Sequence, residues 1–322
     1  MKRVTVIAQK KELEKVKNAV GDLIYNMEDL KNGLVRVDIY VNDALLDDLI
    51  PKLQDSVDLR HRESVIEVVS PDFVISSSLQ KREKNIKKEG RATVEELLAS
   101  SKKYTRIDFG KTTLIIIAGI IALIGLFMNN VPIIIGAMLL SPLLGPIYSF
   151  VINISVGRSK DAWLSMLNMG TMLILVIVTS YIATLLISIF IPVYLTPEIL
   201  MRFDTNPIYI LMAILLGFAA VFAYAKGLSE SIAGIAIAAA LLPPLAVSGI
   251  TLAMYVDYAA KPLLLSMENI VGLIAGGLIA IIVLKIEPRR YYEKAKAKRM
   301  LHRLYFTLLS LLILLAILSL VL

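Results

Sequence analysis

The chain of 322 residues contains no cysteine, two histidines and one tryptophan. The lack of cysteine excludes a disulfide framework, a thiolate nucleophile and a thiolate metal site. The two histidines, His61 and His302, lie far apart in the sequence and form no ligand pair. Only 19% of the residues are charged and 57% are hydrophobic, whereas about a quarter of a soluble domain is charged. This composition predicts a membrane protein that holds no metal and no cofactor.

Charge is concentrated in the first third of the chain. Residues 1–111 hold 21 Lys and Arg and 19 Asp and Glu, whereas residues 112–322 hold 13 and 8. We therefore expect a cytoplasmic domain over 1–80 and a linker with an amphipathic helix at the membrane surface over 81–111. Six membrane spans would follow over 112–303, and a seventh over 304–322. Neither part has a basic stripe with interleaved aromatics, so nucleic acid is not an expected partner.

The first 80 residues show the pattern of a small α+β domain. Alternating apolar residues predict strands over 3–8, 34–41 and 64–70, with a weaker strand over 24–29. Helical spacing predicts one helix over 11–23 and a second from Asp43, interrupted at Pro51. The pair Asn32-Gly33 is a hairpin-turn signal. The order β-α-β-β-α-β is typical of a ferredoxin-like domain, which would serve either as a packing and oligomerisation module or as a regulatory ligand site.

The remaining residues predict a polytopic membrane domain. Seven apolar stretches have the length that a span needs, and they cover 112–128, 131–154, 162–193, 207–225, 231–255, 268–286 and 304–322. With the N-terminus inside, the inner loops carry 11 Lys and Arg residues and the outer loops carry two. Because positive loops stay in the cytoplasm, we expect a plasma-membrane protein with a cytoplasmic N-terminus and an outside C-terminus. Span six would begin at Glu268, so no ionisable side chain is expected at mid-depth, which argues against a proton relay.

Two proline motifs indicate an internal repeat. The sequence Leu-Leu-Ser-Pro-Leu at 139–143 matches Leu-Leu-Pro-Pro-Leu at 241–245, with an offset of 102 residues. The same offset carries span two onto span five, and roughly span one onto four and three onto six. Since spans two and five run in opposite directions, the sequence predicts an inverted repeat of three plus three spans, with span seven left over. Inverted repeats are common in transporters, whose sites lie at midplane where helices break.

The proline motifs also predict a site. Proline removes a backbone donor and frees a carbonyl four residues earlier, and lipid offers no substitute partner. We therefore expect both spans to break at midplane, where the substrate-binding residues would be Ser141, Pro142, Gly145, Pro146, Pro243, Pro244, Ser248 and Gly249, most of them lining one cavity. Residues at the inner mouth, with a possible gating role, would be Asn153, Arg158, Lys226 and Glu230. The alternatives are packing kinks at the prolines, and an interfacial Lys226–Glu230 ion pair.

The same residues carry a family resemblance. The stretch from Asn129 to Ile147 and the stretch from Gly234 to Leu245 resemble the DUF389 family, a domain of unknown function. Its members are prokaryotic integral membrane proteins, including archaeal ones with a cytoplasmic N-terminal domain. The likeness covers roughly residues 90–290. It implies no substrate, cofactor or catalytic residue.

Enzymatic motifs are absent from the sequence. It contains no Walker loop and no His-Glu-x-x-His motif, and residues 227–231 only half match Gly-x-Ser-x-Gly. We therefore expect no enzyme but a transporter or channel-like protein for a small solute or ion, with a cytoplasmic regulatory domain. The alternative is a membrane-tethered sensor or scaffold whose cytoplasmic domain binds a small ligand. The expected partners are the lipid bilayer, that ligand and a second copy of the chain in a homo-oligomer, with a dimer favoured.

Overall fold

The computed structural model describes residues 2–71, 93–204, 206–228, 230–288 and 291–321. Residue contacts divide the chain into two compact units, Met1–Thr93 and Val94–Leu322. The expected linker over 81–92 lies outside the described residues. Each unit is described below by itself.

The first unit contains a four-stranded antiparallel sheet and two helices. In chain order these elements are β1 (Lys2–Gln9), α1 (Leu13–Val20), β2 (Ile24–Asp29), β3 (Leu34–Val41), α2 (Asp43–Ser56) and β4 (Val65–Val69). The strands lie in the order β2-β3-β1-β4, and every neighbouring pair is antiparallel. This is the predicted β-α-β-β-α-β sequence of elements.

The core of this unit explains why the predicted strand β3 is confirmed and why the predicted break at Pro51 is wrong. Alternate residues of β3 are buried, as expected for a strand with one covered face. Asn32 and Gly33, with φ of 63° and 72°, make the predicted turn before β3. The predicted interruption at Pro51 is wrong, because α2 continues through that proline. Leu46, Leu49, Ile50 and Leu53 of α2 are all buried in the core, and this packing holds the helix together across the missing donor.

The second unit is helical. Its elements are α3 (Val94–Lys102), α4 (Phe109–Phe127), α5 (Val131–Leu140), α6 (Leu144–Ser155), α7 (Ser159–Phe190), α8 (Pro197–Leu200), α9 (Pro207–Ala225), α10 (Glu230–Met254), α11 (Ala260–Val283) and α12 (Tyr291–Val321). Within the described residues, six helices are long and apolar enough to cross a membrane. A seventh span is possible if α5 and α6, which meet at a bend of 48°, count as one.

Burial separates central from peripheral helices in this unit. In the most apolar 18-residue windows, 78% of α10 and 67% of α11 is buried, against 17% of α7 and of α12. All twelve residues of α6 are buried. The helix α6, which follows the bend, is therefore central in the bundle with α10 and α11. The long peripheral helices expose apolar side chains, as lipid-facing helices do.

Four of the described helices end in the same hydrogen-bonded motif. After α4, α6, α9 and α11, a residue with positive φ donates its N–H to the carbonyl three residues back, and the next residue donates to the carbonyl five back. This is the Schellman end, whose positive-φ position favours glycine or asparagine. The four residues there are Asn129, Gly157, Gly227 and Lys285. Lysine is the exception among them.

Two expectations for the spans require correction. Span five does not break, because α10 is one helix from Glu230 to Met254 with Pro243 and Pro244 inside it. Span six begins earlier than predicted, at Ala260. The short helix α3 buries Leu97 and Ser101 and packs against α6; its expected place at the membrane surface stays a prediction.

Candidate functional site

The predicted break in span two is present and leaves polar groups inside the bundle. The helix α5 ends at Leu140, and the N–H of Ser141 donates to the carbonyl of Met138 at 3.2 Å. Ser141 is 8% exposed, and its hydroxyl has no hydrogen-bond partner among the described residues. The helix α6 then starts at Leu144 with no side chain capping its first N–H groups. The break thus presents a buried hydroxyl and the positive end of a helix dipole.

An aromatic ring covers the first turn of α6. Gly145 has no side chain, and a Cβ atom there would overlap the ring of Tyr104. Tyr104 is itself buried. The ammonium groups of Lys103 and Lys111 lie 4.9 Å and 4.5 Å from the centroid of that ring. Two positive charges therefore stand beside the break, in cation–π contact with the ring that packs on it.

Buried hydroxyls and amides continue along α6. The hydroxyl of Ser149 lies 2.7 Å from that of Ser165 on α7 and 3.0 Å from the carbonyl of Ser101 on α3. The amide of Asn153 donates to the carbonyl of Ser149 at 2.8 Å. All four residues are buried. A second amide, that of Asn168 on α7, donates to the carbonyl of Tyr104 at 2.8 Å. A polar network thus joins α3, α6 and α7 inside an apolar unit.

The second predicted half of the site is a packing surface. The prolines of α10 are buried. Pro244 lacks an N–H and leaves the carbonyl of Ala240 without its helical donor, and the amide of Asn269 on α11 donates to this oxygen at 2.6 Å. The hydroxyl of Ser248 donates to the carbonyl of Pro244 at 2.8 Å. The Asn269 amide thus replaces the donor that Pro244 removes, and α10 is one continuous helix, so the expected break in span five is wrong.

Contacts place the two halves at different levels of the bundle. Leu144, at the start of α6, lies against Gly234 of α10. Gly234 precedes Pro243 by nine residues, or about 14 Å at the helical rise. Gly249, in turn, packs on α7, where a Cβ atom would lie 2.6 Å from the carbonyl oxygen of Ile177. The described contacts therefore gather Ser141, Pro142, Gly145 and Pro146 at the break, apart from Pro243, Pro244, Ser248 and Gly249 in the packed interior of α10.

The predicted inner-mouth residues have separate surroundings. Asn153 belongs to the polar network of α6. Arg158 lies before the first residue of α7 and 3.9 Å from the carboxylate of Asp161. Lys226 follows α9, with its ammonium group 5.8 Å from the centroid of the Phe222 ring. The side chain of Glu230 lies outside the described part of the chain, and so does the predicted Lys226–Glu230 pair.

An acidic residue lies deeper than the sequence predicted. Because α11 begins at Ala260, Glu268 stands about 12 Å inside the helix rather than at its start. Its side chain is fully buried, and its polar neighbour is the hydroxyl of Ser319 near the end of α12. The expectation that the spans carry no ionisable group away from their ends is therefore wrong. The argument against a proton relay that rested on this expectation falls with it.

The comparison with known proteins concerns this same region. Residues 138–275, from α5 into α11, match the family model described as "Domain of unknown function (DUF389)". The chain belongs to the DUF389 family. The match contains both proline motifs and Asn269. The break in span two and the hydrogen bond from Asn269 to Ala240 therefore both lie in the part of the chain that resembles the DUF389 model.

An archaeal protein is also similar to this chain. An uncharacterized protein of Methanocaldococcus jannaschii is 30% identical over 217 residues, which are 67% of this chain and 66% of the relative. The matched stretch thus spans just under two thirds of the relative's length. No solved structure matches this chain significantly. Neither the name of this relative nor the description of the family model states an activity.

Proposed function

We propose that this DUF389 protein is a transporter or channel-like membrane protein for a small solute or ion. The observation that carries the proposal is the break between α5 and the fully buried helix α6. The uncapped start of α6 and the Ser141 hydroxyl, which has no partner among the described residues, lie inside an apolar bundle. Unsatisfied backbone is costly in a bilayer and is tolerated where it lines a cavity or meets a ligand. Broken helices are the usual binding sites of transporters.

In this proposal the chain crosses the membrane in seven spans, and α5 and α6 together form one of them. The Lys and Arg count of 11 against two favours an inner N-terminus and an outer C-terminus. In that orientation Lys103 and Lys111 stand on the cytoplasmic side, where they precede and begin the first span. The break beside Tyr104 would therefore open toward the cytoplasm, nearer that face than the midplane.

Packing supports the proposed inverted repeat. In such a repeat, a contact between the third span of one half and the second span of the other should recur with the two halves exchanged. Helix α7 packs on α10 through Ile177 and Gly249, and α11 packs on α6 through Gly277 and Val151. The offset of 102 residues carries the second contact to positions 253 and 175. These positions lie within about one helical turn of the first contact.

The charge around the break favours an anion. The first turn of α6 offers N–H groups without a capping side chain, and a helix N-terminus carries about half a positive charge. Lys103 and Lys111 add two ammonium groups at the ring that covers this turn. We therefore propose a small anion, inorganic or organic, as the first class of solute to test.

We also propose that the N-terminal unit is a ferredoxin-like regulatory domain. The strand order β2-β3-β1-β4 with all pairs antiparallel supports this assignment. A homo-oligomer, with a dimer favoured, completes the proposal. If a ligand stabilises the full chain but no solute moves, the protein is instead a membrane-tethered sensor.

The test is a flux assay in proteoliposomes with an internal anion-sensitive dye. Chloride, nitrate and short organic acids are offered outside, and a cation-sensitive dye serves in a parallel series. Protein-dependent anion flux is expected, with a reduced rate for Ser141→Ala. Gly145→Ala should abolish flux because it collides with Tyr104, whereas Gly136→Ala, with open space around it, should keep the rate. Full flux in Gly145→Ala, or no flux by folded protein, would contradict the proposal.

A further inference from the structure

A second polar feature lies away from the break, at the junction of α11 and α12. A cavity of about 780 Å³ opens between the end of α11, the first half of α12 and Ser155 at the end of α6. None of the twelve site residues predicted from the sequence lines it. Its wall divides into a basic part and an apolar part, made chiefly by Lys285, Lys294 and Lys298 and by Ile282, Tyr305 and Phe306.

The basic end of the wall lies toward the segment that joins α11 to α12, and the apolar end lies farther from that segment along the two helices. Lys285 is the second residue after α11, and the other two lysines come from the first turns of α12. Ile282 lies in the last turn of α11, and the two aromatic residues come from later turns of α12. An ion pair of 3.4 Å between Lys294 and Glu287 joins the two segments at the basic end. Ile282 and Phe306 are each 63% exposed. The apolar end therefore opens toward the surface that the bundle presents to lipid.

The backbone at Lys285 gives an independent indication. Lys285 occupies the positive-φ position of the α11 end with φ of 51°, where the equivalent ends after α6 and α9 have glycine. A side chain is disfavoured in this conformation, and such a residue points to a role for its side chain. Here that side chain lines the cavity. The lysine is thus present at a position where the fold alone favours glycine.

We propose that this cavity binds an anionic phospholipid. The phosphate would lie at Lys285 and Lys298, with Lys294 shared between it and Glu287, and an acyl chain would follow Ile282 and Phe306. Three lysines against one glutamate leave an excess of two positive charges, with His302 counted neutral. Basic pockets between membrane helices on the cytoplasmic side hold anionic headgroups, and the proposed topology places this end of the cavity on that side. Free phosphate would use the lysines but not the apolar wall.

The experiment titrates lipid onto the full-length protein in neutral detergent and follows the thermal midpoint of unfolding. Phosphatidylglycerol, phosphatidylcholine and glycerol phosphate are the three probes. The variants are Lys298→Gln and Lys285→Gly, and the matched control is Lys296→Gln, which removes the same charge from the same helix outside the cavity. Phosphatidylglycerol should raise the midpoint in proportion to its saturation, and the other two probes should not.

Each cavity variant should weaken the apparent affinity for phosphatidylglycerol about five-fold, the effect of one basic residue near an anionic headgroup. Lys296→Gln should keep it. Lys285→Gly should also leave the lipid-free midpoint equal or higher, because glycine suits the positive φ; this separates a binding role from a structural one. Equal stabilisation by glycerol phosphate or phosphatidylcholine would overturn the lipid assignment. Equal losses in the cavity variants and the control would overturn the site.

Discussion

The hydrogen bond from Asn269 to the carbonyl of Ala240 predicts a specific coupling between two helices. Asn269→Leu keeps the branching and the number of heavy atoms of the side chain and leaves the Ala240 oxygen without this donor. Such an orphaned acceptor costs about 1–3 kcal/mol, and hydrogen bonds between membrane helices average about 0.6 kcal/mol. Between these figures, we expect the substitution to lower the free energy of unfolding by about 1 kcal/mol.

The cost should depend on Pro244. Pro244→Ala restores an N–H four residues after Ala240, which can take over the freed carbonyl, so Asn269→Leu should then cost less than about 0.5 kcal/mol. Pro243→Ala is the matched control, because its N–H would serve Ala239 instead. Reversible unfolding in mixed detergent and dodecyl sulfate micelles, followed by circular dichroism, measures all four corners of the cycle. An equal cost of Asn269→Leu in the wild-type and Pro244→Ala backgrounds would refute this explanation of the unbroken helix.

Three further predictions concern other parts of the chain. Gly276→Ala should lower the thermal midpoint, because a Cβ atom would overlap the backbone of α9, whereas Gly170→Ala, with no atom within 4 Å, should raise it. The side-chain hydrogen bond from Arg60 holds the pKa of the Asp58 carboxyl below its ordinary value, so this pair should persist as the pH falls through that ordinary value and be lost only in stronger acid; in Arg60→Gln, a carboxyl NMR titration should show a pKa closer to the ordinary value. Glu268→Gln should not lower the thermal midpoint, since it removes a buried acid without an ion-pair partner among the described residues; a fall of several degrees would show that the carboxylate is held.

The strands and the first break were predictable from local pattern. The alternation over 34–41 matches β3 to the residue, because one buried face imposes a period of two on the sequence. Ser141 and Pro142 do end a helix, and the N–H of Ser141 donates to the carbonyl of Met138, four residues before the proline. In both cases the signal and its structural consequence lie within a few residues of each other.

The other predictions depended on residues far along the chain. The effect of Pro244 is decided by Asn269, which lies on another helix and satisfies the freed carbonyl. Because a charge usually marks the membrane surface, the sequence predicts a span that starts at Glu268, yet α11 begins two turns before it. In the sequence, Lys294 and Lys298 indicate only the topology, since a cavity between helices leaves no pattern there; in the structure both line the cavity.

The central claim is that the break in span two faces a solvent-accessible path, and single-cysteine labelling tests it directly. The chain has no cysteine of its own, so Ser141→Cys in sealed membrane vesicles can be probed with a membrane-impermeant thiol reagent. Ser180→Cys is the control, because that residue is fully buried where α7 packs on Gly249. The account predicts that Ser141→Cys reacts from the cytoplasmic side while Ser180→Cys does not. Failure of Ser141→Cys to react from either side would contradict it.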